Sequence, residues 1–347
     1  MRAVFRPHDE ASRTKYQNTV QLARSQRRVL AGTPGTLKKR TQAGNQYWVR
    51  EHIRIDGAKV DEYIGPVAAV NEARIKQLRA EIDLARSLAS ASAALRLLGF
   101  QRTDRKPAAV LAVFFNRGLY QAGLTLVGSH AYGALLNELG VSASAYRTKD
   151  PDVARAQPLS IVIPHDASFG ALLNESGLEF APVPGMPSHK PSASFKLAGA
   201  EQLLVDLLVP GKEIGKVVEV KELNAHAQTI PFLEFLIEEP LDAVVLSPNQ
   251  VIAVKVPSPE RFVLHKLFSS QSRRIDPSKT SKDREQAAII AAALEEQMPG
   301  RLLDAWKAFP RAGKPALRRG AGATVKVIAG AHQEAEAVMR KLAAQVR

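Results

Sequence analysis

The spacing of apolar residues predicts the order of helices and strands along the chain. In the N-terminal third, apolar residues recur every three or four positions over 12–32 and over 67–98, which predicts two helices. Between them, residues 47–55 alternate in the manner of a strand, and an Asp-Gly tight-turn signal leads to a returning strand over 59–64. The first hundred residues therefore predict a basic helix, a hairpin and a long helix.

The middle of the chain predicts short buried strands beside helices. Residues 124–127 are a continuous apolar run of strand length, and 130–139 have helical spacing up to Gly140. Residues 194–197 and 202–209 predict a further hairpin that ends at a Pro-Gly pair. The strand at 124–127 is thus expected to lead directly into a helix.

The C-terminal region predicts strands first and helices afterwards. The strands are expected at 232–237, 243–246 and 251–256. The helices are expected at 261–270, 283–297, 301–310 and 331–346, with a Gly- and Arg-rich loop at 311–322.

The composition is that of a folded protein with more than one domain. At 347 residues, two or three domains are expected, and the balance of 45% hydrophobic and 24% charged residues excludes general disorder. The absence of cysteine excludes disulfides, thiolate metal sites and a cysteine nucleophile, and it permits a reducing cytoplasm, which is the location we predict. No secretory signal and no run of about 18 apolar residues occurs, so we expect no membrane span.

The positive charge is concentrated at the N-terminal end. The formal net charge is +14, and residues 1–106 hold 21 basic and 10 acidic residues, whereas the remaining chain holds 27 and 24. A basic N-terminal third beside a nearly neutral body suggests contact with a polyanion such as nucleic acid. A solvated basic surface that aids solubility is the alternative interpretation.

Three motifs that suit phosphate and metal chemistry follow one another in the middle of the chain. They are the pair Gly128-Ser129 at a strand-to-helix junction, the pair Asp150 and Asp152, and Asp206 within an apolar strand. Glycine lets the backbone approach a phosphate, serine adds a hydroxyl donor, and a helix N-terminus presents unpaired N–H groups to an anion. The first motif therefore predicts a site for a nucleotide's phosphates.

The aspartates predict a metal site. Two carboxylates at i and i+2 on an extended segment point to the same side and repel each other unless a cation lies between them. The third carboxylate, Asp206, would complete a two-metal site or accept a proton from an attacking hydroxyl. Taken singly, Asp150 and Asp152 could be part of a turn and Asp206 could pair within the core; the order of the three motifs favours a site.

Several segments resemble the motifs of bacterial nucleotidyltransferase-fold proteins of the DNA polymerase β-like kind, related to the abortive-infection toxin nucleotidyltransferases. The segments that carry the resemblance are residues 127–133 (VGSHAYG), 147–154 (RTKDPDVA), 205–208 (VDLL), 256–267 (VPSPERFVLHKL) and 279–287 (KTSKDREQA). The resemblance covers about residues 107–297. It implies an α+β fold in which a small mixed sheet with flanking helices is followed by a helical domain that closes over the nucleotide.

The resemblance also implies a division of the chain and a set of roles. The expected parts are a basic helix–hairpin–helix region over 1–106, a catalytic core over 107–215 and a mostly helical C-terminal domain over 216–347. Mg²⁺ or Mn²⁺ would be held by the three aspartates, and the NTP phosphates would be contacted by Gly128, Ser129, Lys266 and Lys282. For each lysine, a solvated side chain is the alternative.

Two departures from the family pattern leave the function open. Pro151 stands between the two aspartates, where the family usually has an apolar residue, and the gap from Gly-Ser to the aspartate pair is long. One hypothesis is transfer of a nucleoside monophosphate from an NTP to a hydroxyl, with RNA or tRNA as acceptor, and by analogy a toxin-like role with an antitoxin-like partner. The alternative is an inactive nucleic-acid-binding protein in which Pro151 disables catalysis. A third hypothesis, transfer to a small antibiotic-like molecule, leaves the basic N-terminal third unexplained.

Overall fold

The structure is a computed structural model. It describes the chain in six segments, namely residues 3–143, 152–154, 168–184, 191–199, 203–272 and 277–344. Within these segments no helix is both long and apolar enough to cross a membrane.

Helices and short strands alternate irregularly along the described chain. The N-terminal third forms β1 (Phe5–Pro7), α1 (Glu10–Arg24), β2 (Thr36–Gln42), β3 (Asn45–Ile53), β4 (Lys59–Pro66) and α2 (Glu72–Leu97). The middle forms α3 (Arg105–Asn116), β5 (Thr125–Val127), α4 (Gly128–Glu138), β6 (Val141–Ala143), β7 (Asp152–Ala154), α5 (Phe169–Asn174), β8 (Phe180–Pro182), β9 (Ser194–Leu197) and β10 (Leu204–Pro210). The remainder forms β11 (Val217–Val220), β12 (Ala225–Ile230), α6 (Leu233–Ile237), β13 (Leu241–Leu246), β14 (Val251–Val256), α7 (Pro259–Ser272), α8 (Pro277–Gln297), α9 (Arg301–Ala308), α10 (Lys314–Ile328) and α11 (Gln333–Ala344).

The N-terminal third contains the expected hairpin and long helix. β3 and β4 pair antiparallel around the Asp-Gly turn, and α2 covers most of the predicted 67–98, so both predictions are confirmed. The sheet also has a third strand, β2, which pairs with β3. The sequence pattern did not predict β2 because its residues are polar and mostly exposed on both faces.

The first helix is shorter than the sequence pattern predicts. α1 begins after Asp9, whose side chain accepts a hydrogen bond from the Ser12 backbone N–H, and it ends at Arg24 instead of residue 32. Beyond it, the side-chain amide of Asn116 accepts from the Val29 N–H at 2.8 Å and donates to the Val29 carbonyl at 3.0 Å. These bonds replace the helical partners of Val29, so the buried apolar residues there continue as a loop.

A mixed sheet occupies the middle of the molecule. Its order is β11-β12-β10-β7-β5, with β9 attached to β10 and β8 attached to β9. β10 runs parallel to both β7 and β12 and antiparallel to β9. The fold is thus α+β, a mixed sheet with flanking helices, as expected. Because β11 and β12 belong to this sheet, it extends past residue 215, where the sequence analysis places a domain boundary.

The C-terminal region is mostly helical, with two differences from the predicted elements. Residues 232–237 were predicted as a strand but contain helix α6, because so short a run of mostly buried apolar residues has no period that separates strand from helix. Residues 311–322, predicted as a loop, contain the start of α10. Gly320 is inside that helix because a Cβ there would collide with the backbone carbonyl of Leu267 in α7. The glycine therefore serves close helix packing.

The hydrophobic core joins the sheet to the C-terminal helices. One large cluster includes residues of β5, β10, α7 and α8, and every residue from Ala287 to Leu294 of α8 is buried. A smaller cluster packs α1 and α2 against β13 and β14 through Tyr16, Leu88 and Val251. The β13–β14 pair therefore lies between the two clusters, because its residues alternate between them.

Candidate active site

A glycine with a left-handed backbone begins α4 directly after β5. Gly128 has a φ of +69°, a conformation that glycine adopts without the strain other residues incur. An added Cβ would run into the carboxylate of Asp152, with the Asp152 Cγ at 3.2 Å. Both the backbone angle and the neighbouring carboxylate therefore require glycine at this position.

Asp152 and Asp206 lie side by side on neighbouring strands. The parallel register of β7 and β10 pairs Asp152 with Asp206, and on its other side Asp152 pairs with Val127 of β5. Residues paired across adjacent strands point to the same face of a sheet, and adjacent strands are about 4.8 Å apart. The structure therefore brings these two predicted site residues together beside Gly128.

The carboxylate of Asp206 lies outside the apolar core although its strand is apolar. Val205, Leu207 and Val209 alternate with it and are buried, whereas Asp206 is half-buried on the other face of β10. The hydroxyl of Ser194 in β9 donates a hydrogen bond of 2.5 Å to Asp206 Oδ1. This bond fixes one oxygen of the carboxylate.

Ser194 is a site residue that the sequence analysis missed. It is directly opposite Asp206 in the antiparallel register of β9 and β10. The sequence predicted the hairpin of 194–197 with 202–209. Counting residue pairs outward from its turn could therefore have identified Ser194 as the residue opposite Asp206. Serine alone gave no such signal, because the residue type is too common.

The described carboxylates suit a hard divalent cation. Asp150 and Pro151 lie outside the described residues, so the structure describes two of the three predicted ligands. Within the described segments no group of three His, Asp or Glu side chains has metal-binding geometry. Two carboxylates at neighbouring positions of a sheet supply oxygen ligands of the kind that Mg²⁺ and Mn²⁺ accept. They also repel each other unless a positive charge lies between them.

The first turn of α4 presents backbone donors beside these carboxylates. The residue preceding the helix is Val127, whose side chain cannot cap it, and no side-chain cap hydrogen bond occurs there. The first N–H groups of a helix have no intrahelical acceptor and attract anions. Ser129 lies in this turn and is half-buried, while His130 is buried with its Nδ1 3.1 Å from the Thr103 hydroxyl. The turn can therefore receive a phosphate next to Asp152.

The two predicted lysines are placed differently from each other. The Lys266 ammonium forms an ion pair of 2.6 Å with Asp283, and the two side chains are only 11% and 2% exposed. Its charge is therefore balanced inside the protein between α7 and α8. Lys282, the residue before Asp283 in α8, is half-buried.

A cavity of about 100 Å³ lies between the sheet and α7. Gly128 and Asp152 line it on the sheet side, and His265, Lys266 and Ser269 of α7 line it on the helix side. The remaining lining is mostly apolar, including Leu208, Ile230, Leu233, Leu236, Phe262 and Phe268. A polar edge with an apolar floor is typical of a small-ligand site.

Comparison with known proteins finds a matching family and a similar solved structure. The model of a family described as nucleotidyltransferase matches residues 105–310, which is more than half of the chain. A crystal structure of an antigenic nucleotidyltransferase-like protein from Paracoccidioides brasiliensis is similar at 16% sequence identity and a TM-score of 0.31, over 61% of this chain and 91% of that chain. No curated protein matches.

Proposed function

Since the chain belongs to this nucleotidyltransferase family, we propose that it transfers a nucleoside monophosphate from an NTP to a hydroxyl group and releases pyrophosphate. The observation that carries the proposal is the pairing of Asp152 with Asp206 directly beside Gly128. Carboxylates, a glycine-bounded helix start and a neighbouring cavity are what this reaction requires at one place. We propose RNA, for example tRNA, as the acceptor because residues 1–106 carry a large positive charge.

The residues divide into phosphate-binding and metal-binding groups. The Gly128 backbone and the Ser129 hydroxyl would donate to the triphosphate, and Lys282 remains a predicted phosphate contact. Asp152 and Asp206, with Asp150, would hold Mg²⁺ or Mn²⁺, which when bound offsets the negative charge of the phosphates. Ser194 keeps Asp206 oriented through its hydrogen bond.

The chemical step needs a proton acceptor near the attacking hydroxyl. The hydroxyl oxygen forms a bond to the α-phosphorus while the bond between that phosphorus and the oxygen leading to the β-phosphate breaks. Pyrophosphate leaves with the electron pair, and the hydroxyl proton passes to the Asp206 carboxylate. A half-buried carboxylate on the open face of β10 suits this role, because it is held in place and remains accessible.

The test is transfer of label from NTPs to RNA. The protein is incubated with each labelled NTP, Mg²⁺ and total RNA, and Asp152→Asn and Asp206→Asn are compared with Asp83→Asn, a change at an exposed carboxylate on α2. We expect each site variant to lose more than about 100-fold in rate, since even outer-shell changes at metal sites cost about 10–100-fold. Absence of transfer with every NTP, or undiminished transfer by both site variants, contradicts the proposal.

The second candidate is a nucleic-acid-binding protein that has the fold and lacks turnover. The ion pair of Lys266 with Asp283 favours it, because one expected phosphate contact has its charge balanced already. Metal-dependent thermal stabilisation by an NTP separates the two functions, since only the enzyme requires it. A toxin-like role and an antitoxin-like partner protein are proposals from the resemblance alone.

A further inference from the structure

A polar crevice of about 270 Å³ lies on the side of α4 that faces the N-terminal third. Its walls come from the end of α2 and the segment that follows it, from α4 and from β13. Arg96, Arg102 and Thr103 line one side, and Ser129 and His130 line the other. The crevice therefore combines cationic side chains with the first turn of the helix described above.

Two arginines, Arg96 and Arg102, line this crevice, and Arg102 is close enough to Arg96 and to the nearby Arg105 to be repelled by both. Burial and the nearby charges of Arg96 and Arg105 lower the pKa of Arg102, and the adjacent Asp104 only partly offsets this. In the described part of the chain, no carboxylate lies within ion-pair distance of these three guanidinium groups. By contrast, Arg28 pairs with Glu81 at 2.8 Å in the same N-terminal third. An arginine cluster without carboxylate partners is stabilised when an anion binds between its members.

The crevice reaches the candidate active site at a single point. Ser129 lines the crevice, and the preceding residue, Gly128, lines the cavity that contains Asp152. Two openings thus lie on either side of the first turn of α4. Arg96 and Arg102 precede residue 105, where the family match begins, so the arginine side of the crevice is a feature of this chain outside the matched region.

We propose that this arginine crevice binds the phosphate backbone of a single-stranded RNA acceptor and leads the hydroxyl of that strand to the Gly128–Asp152 site. Guanidinium groups bind phosphate oxygens through paired N–H donors, which suits a strand that passes along the crevice. A crevice of about 270 Å³ has no room for a double helix, so it suits one strand. Delivery of the RNA hydroxyl to the Gly128–Asp152 site rests on the proposed function, whereas RNA binding by the crevice does not.

The test measures RNA binding by the full chain without NTP or metal. A short labelled single-stranded RNA is titrated against the double variant Arg96→Ala/Arg102→Ala. The matched control is Arg74→Ala/Arg79→Ala, which removes two exposed arginines of α2. We expect the crevice variant to weaken binding about 10-fold. We also expect the slope of its log affinity against log salt concentration to be shallower by about 1.4, the value for two lost single-strand phosphate contacts. The control should change far less.

Further variants separate the proposal from its rivals. Arg96→Lys/Arg102→Lys keeps the charge and should recover part of the binding, and thermal unfolding verifies that every variant is folded. Equal losses in the crevice and control variants would indicate a diffuse charge effect and overturn the proposal. A crevice variant that keeps RNA binding but loses binding of Mg²⁺–ATP would assign the crevice to the triphosphate and would also overturn it. If Asp152→Asn binds RNA normally and no transfer occurs in any condition, the proposed function fails while the crevice proposal stands.

Discussion

At the scale of single residues, Gly128 is the position where backbone angle and site chemistry are most tightly linked. Gly128→Ala places a methyl group against the Asp152 carboxylate and an L-residue in a left-handed conformation. We expect a loss of about 1–2 kcal/mol in the free energy of unfolding from the backbone strain. We also expect at least about a 100-fold loss of transfer rate, because a reacting group misplaced by about 1 Å costs that much. Chemical unfolding and single-turnover transfer measure the two effects.

A matched control exists in the same chain. Gly118 also has a φ of +69°, but an added Cβ there meets no atom within 4 Å. Gly118→Ala should therefore lose similar stability and keep its transfer rate. If Gly128→Ala transfers no more slowly than Gly118→Ala, the transfer reaction does not depend on the present position of the Asp152 carboxylate.

The site also shows what the sequence could predict residue by residue. Gly128, Asp152 and Asp206 were found because glycine at a strand-to-helix junction and aspartate in extended segments have chemical meaning before folding. Ser194 was not found, since its importance comes only from its register opposite Asp206. Lys266 lines the same cavity as Gly128 and Asp152, and its role as a phosphate contact stays a prediction. Its pairing with Asp283 depends on the packing of α7 on α8, which the local sequence pattern does not contain.

At the scale of secondary-structure elements, the Lys266–Asp283 pair joins α7 to α8 inside the C-terminal region. Lys266→Met removes the ammonium that pairs with the buried Asp283 carboxylate, and we expect a loss of about 3–5 kcal/mol in stability. Lys266→Met/Asp283→Asn removes both charges and should recover most of that loss. Urea unfolding of the single and double variants measures the difference.

The double variant also tests the predicted phosphate contact. If the ion pair serves only to join the helices, the folded double variant should retain the KM for NTP of the unaltered protein. A KM raised about 10-fold or more in that variant would instead show that the Lys266 charge reaches the nucleotide.

The elements themselves were predictable where periodicity was clear. The amphipathic pattern predicted α2, and the Asp-Gly turn predicted the β3–β4 hairpin. α6 was mistaken for a strand because four of its five residues are buried and its run is too short to show a helical period. The start of α10 was mistaken for a loop because Gly320 looks like a helix breaker. In both cases the deciding factor was the neighbour across the interface, which a local pattern does not contain.

At the scale of the whole molecule, a hydrogen bond between Tyr16 and Glu138 joins α1 to the family-matched region. The Tyr16 hydroxyl donates a hydrogen bond of 2.6 Å to Glu138 Oε1 of α4. Burial raises the pKa of Glu138, against the opposing effects of the Tyr16 hydrogen bond and the charge of Arg24. Because its pKa is higher in the folded than in the unfolded chain, Glu138 contributes most to stability below its unfolded pKa, and that contribution is lost as pH rises through the folded pKa.

Glu138→Gln should therefore be more stable than the unaltered protein near neutral pH. The amide oxygen can still accept from Tyr16 but carries no charge to desolvate. The stability difference should shrink as pH falls through the folded pKa of Glu138 and level off below about 4.5, where the unaltered carboxyl becomes protonated in both states. Urea unfolding across this pH range measures it, with Glu234→Gln at an exposed position of α6 as control. A difference that does not vary with pH would refute this account of Glu138.

The parallel pairing of β7 with β10 determines when, during synthesis and folding, the carboxylate pair can form. Asp152 and Asp206 are more than fifty positions apart in the chain, yet their strands must pair before the two carboxylates meet. Contacts between distant segments form slowly, because the chain loses the entropy of closing a long loop before any hydrogen bond between the strands forms. On the ribosome, the emerging polypeptide cannot bring these two carboxylates together until β10 has left the exit tunnel, so a prematurely terminated product lacking β10 would never form the Asp152–Asp206 pair.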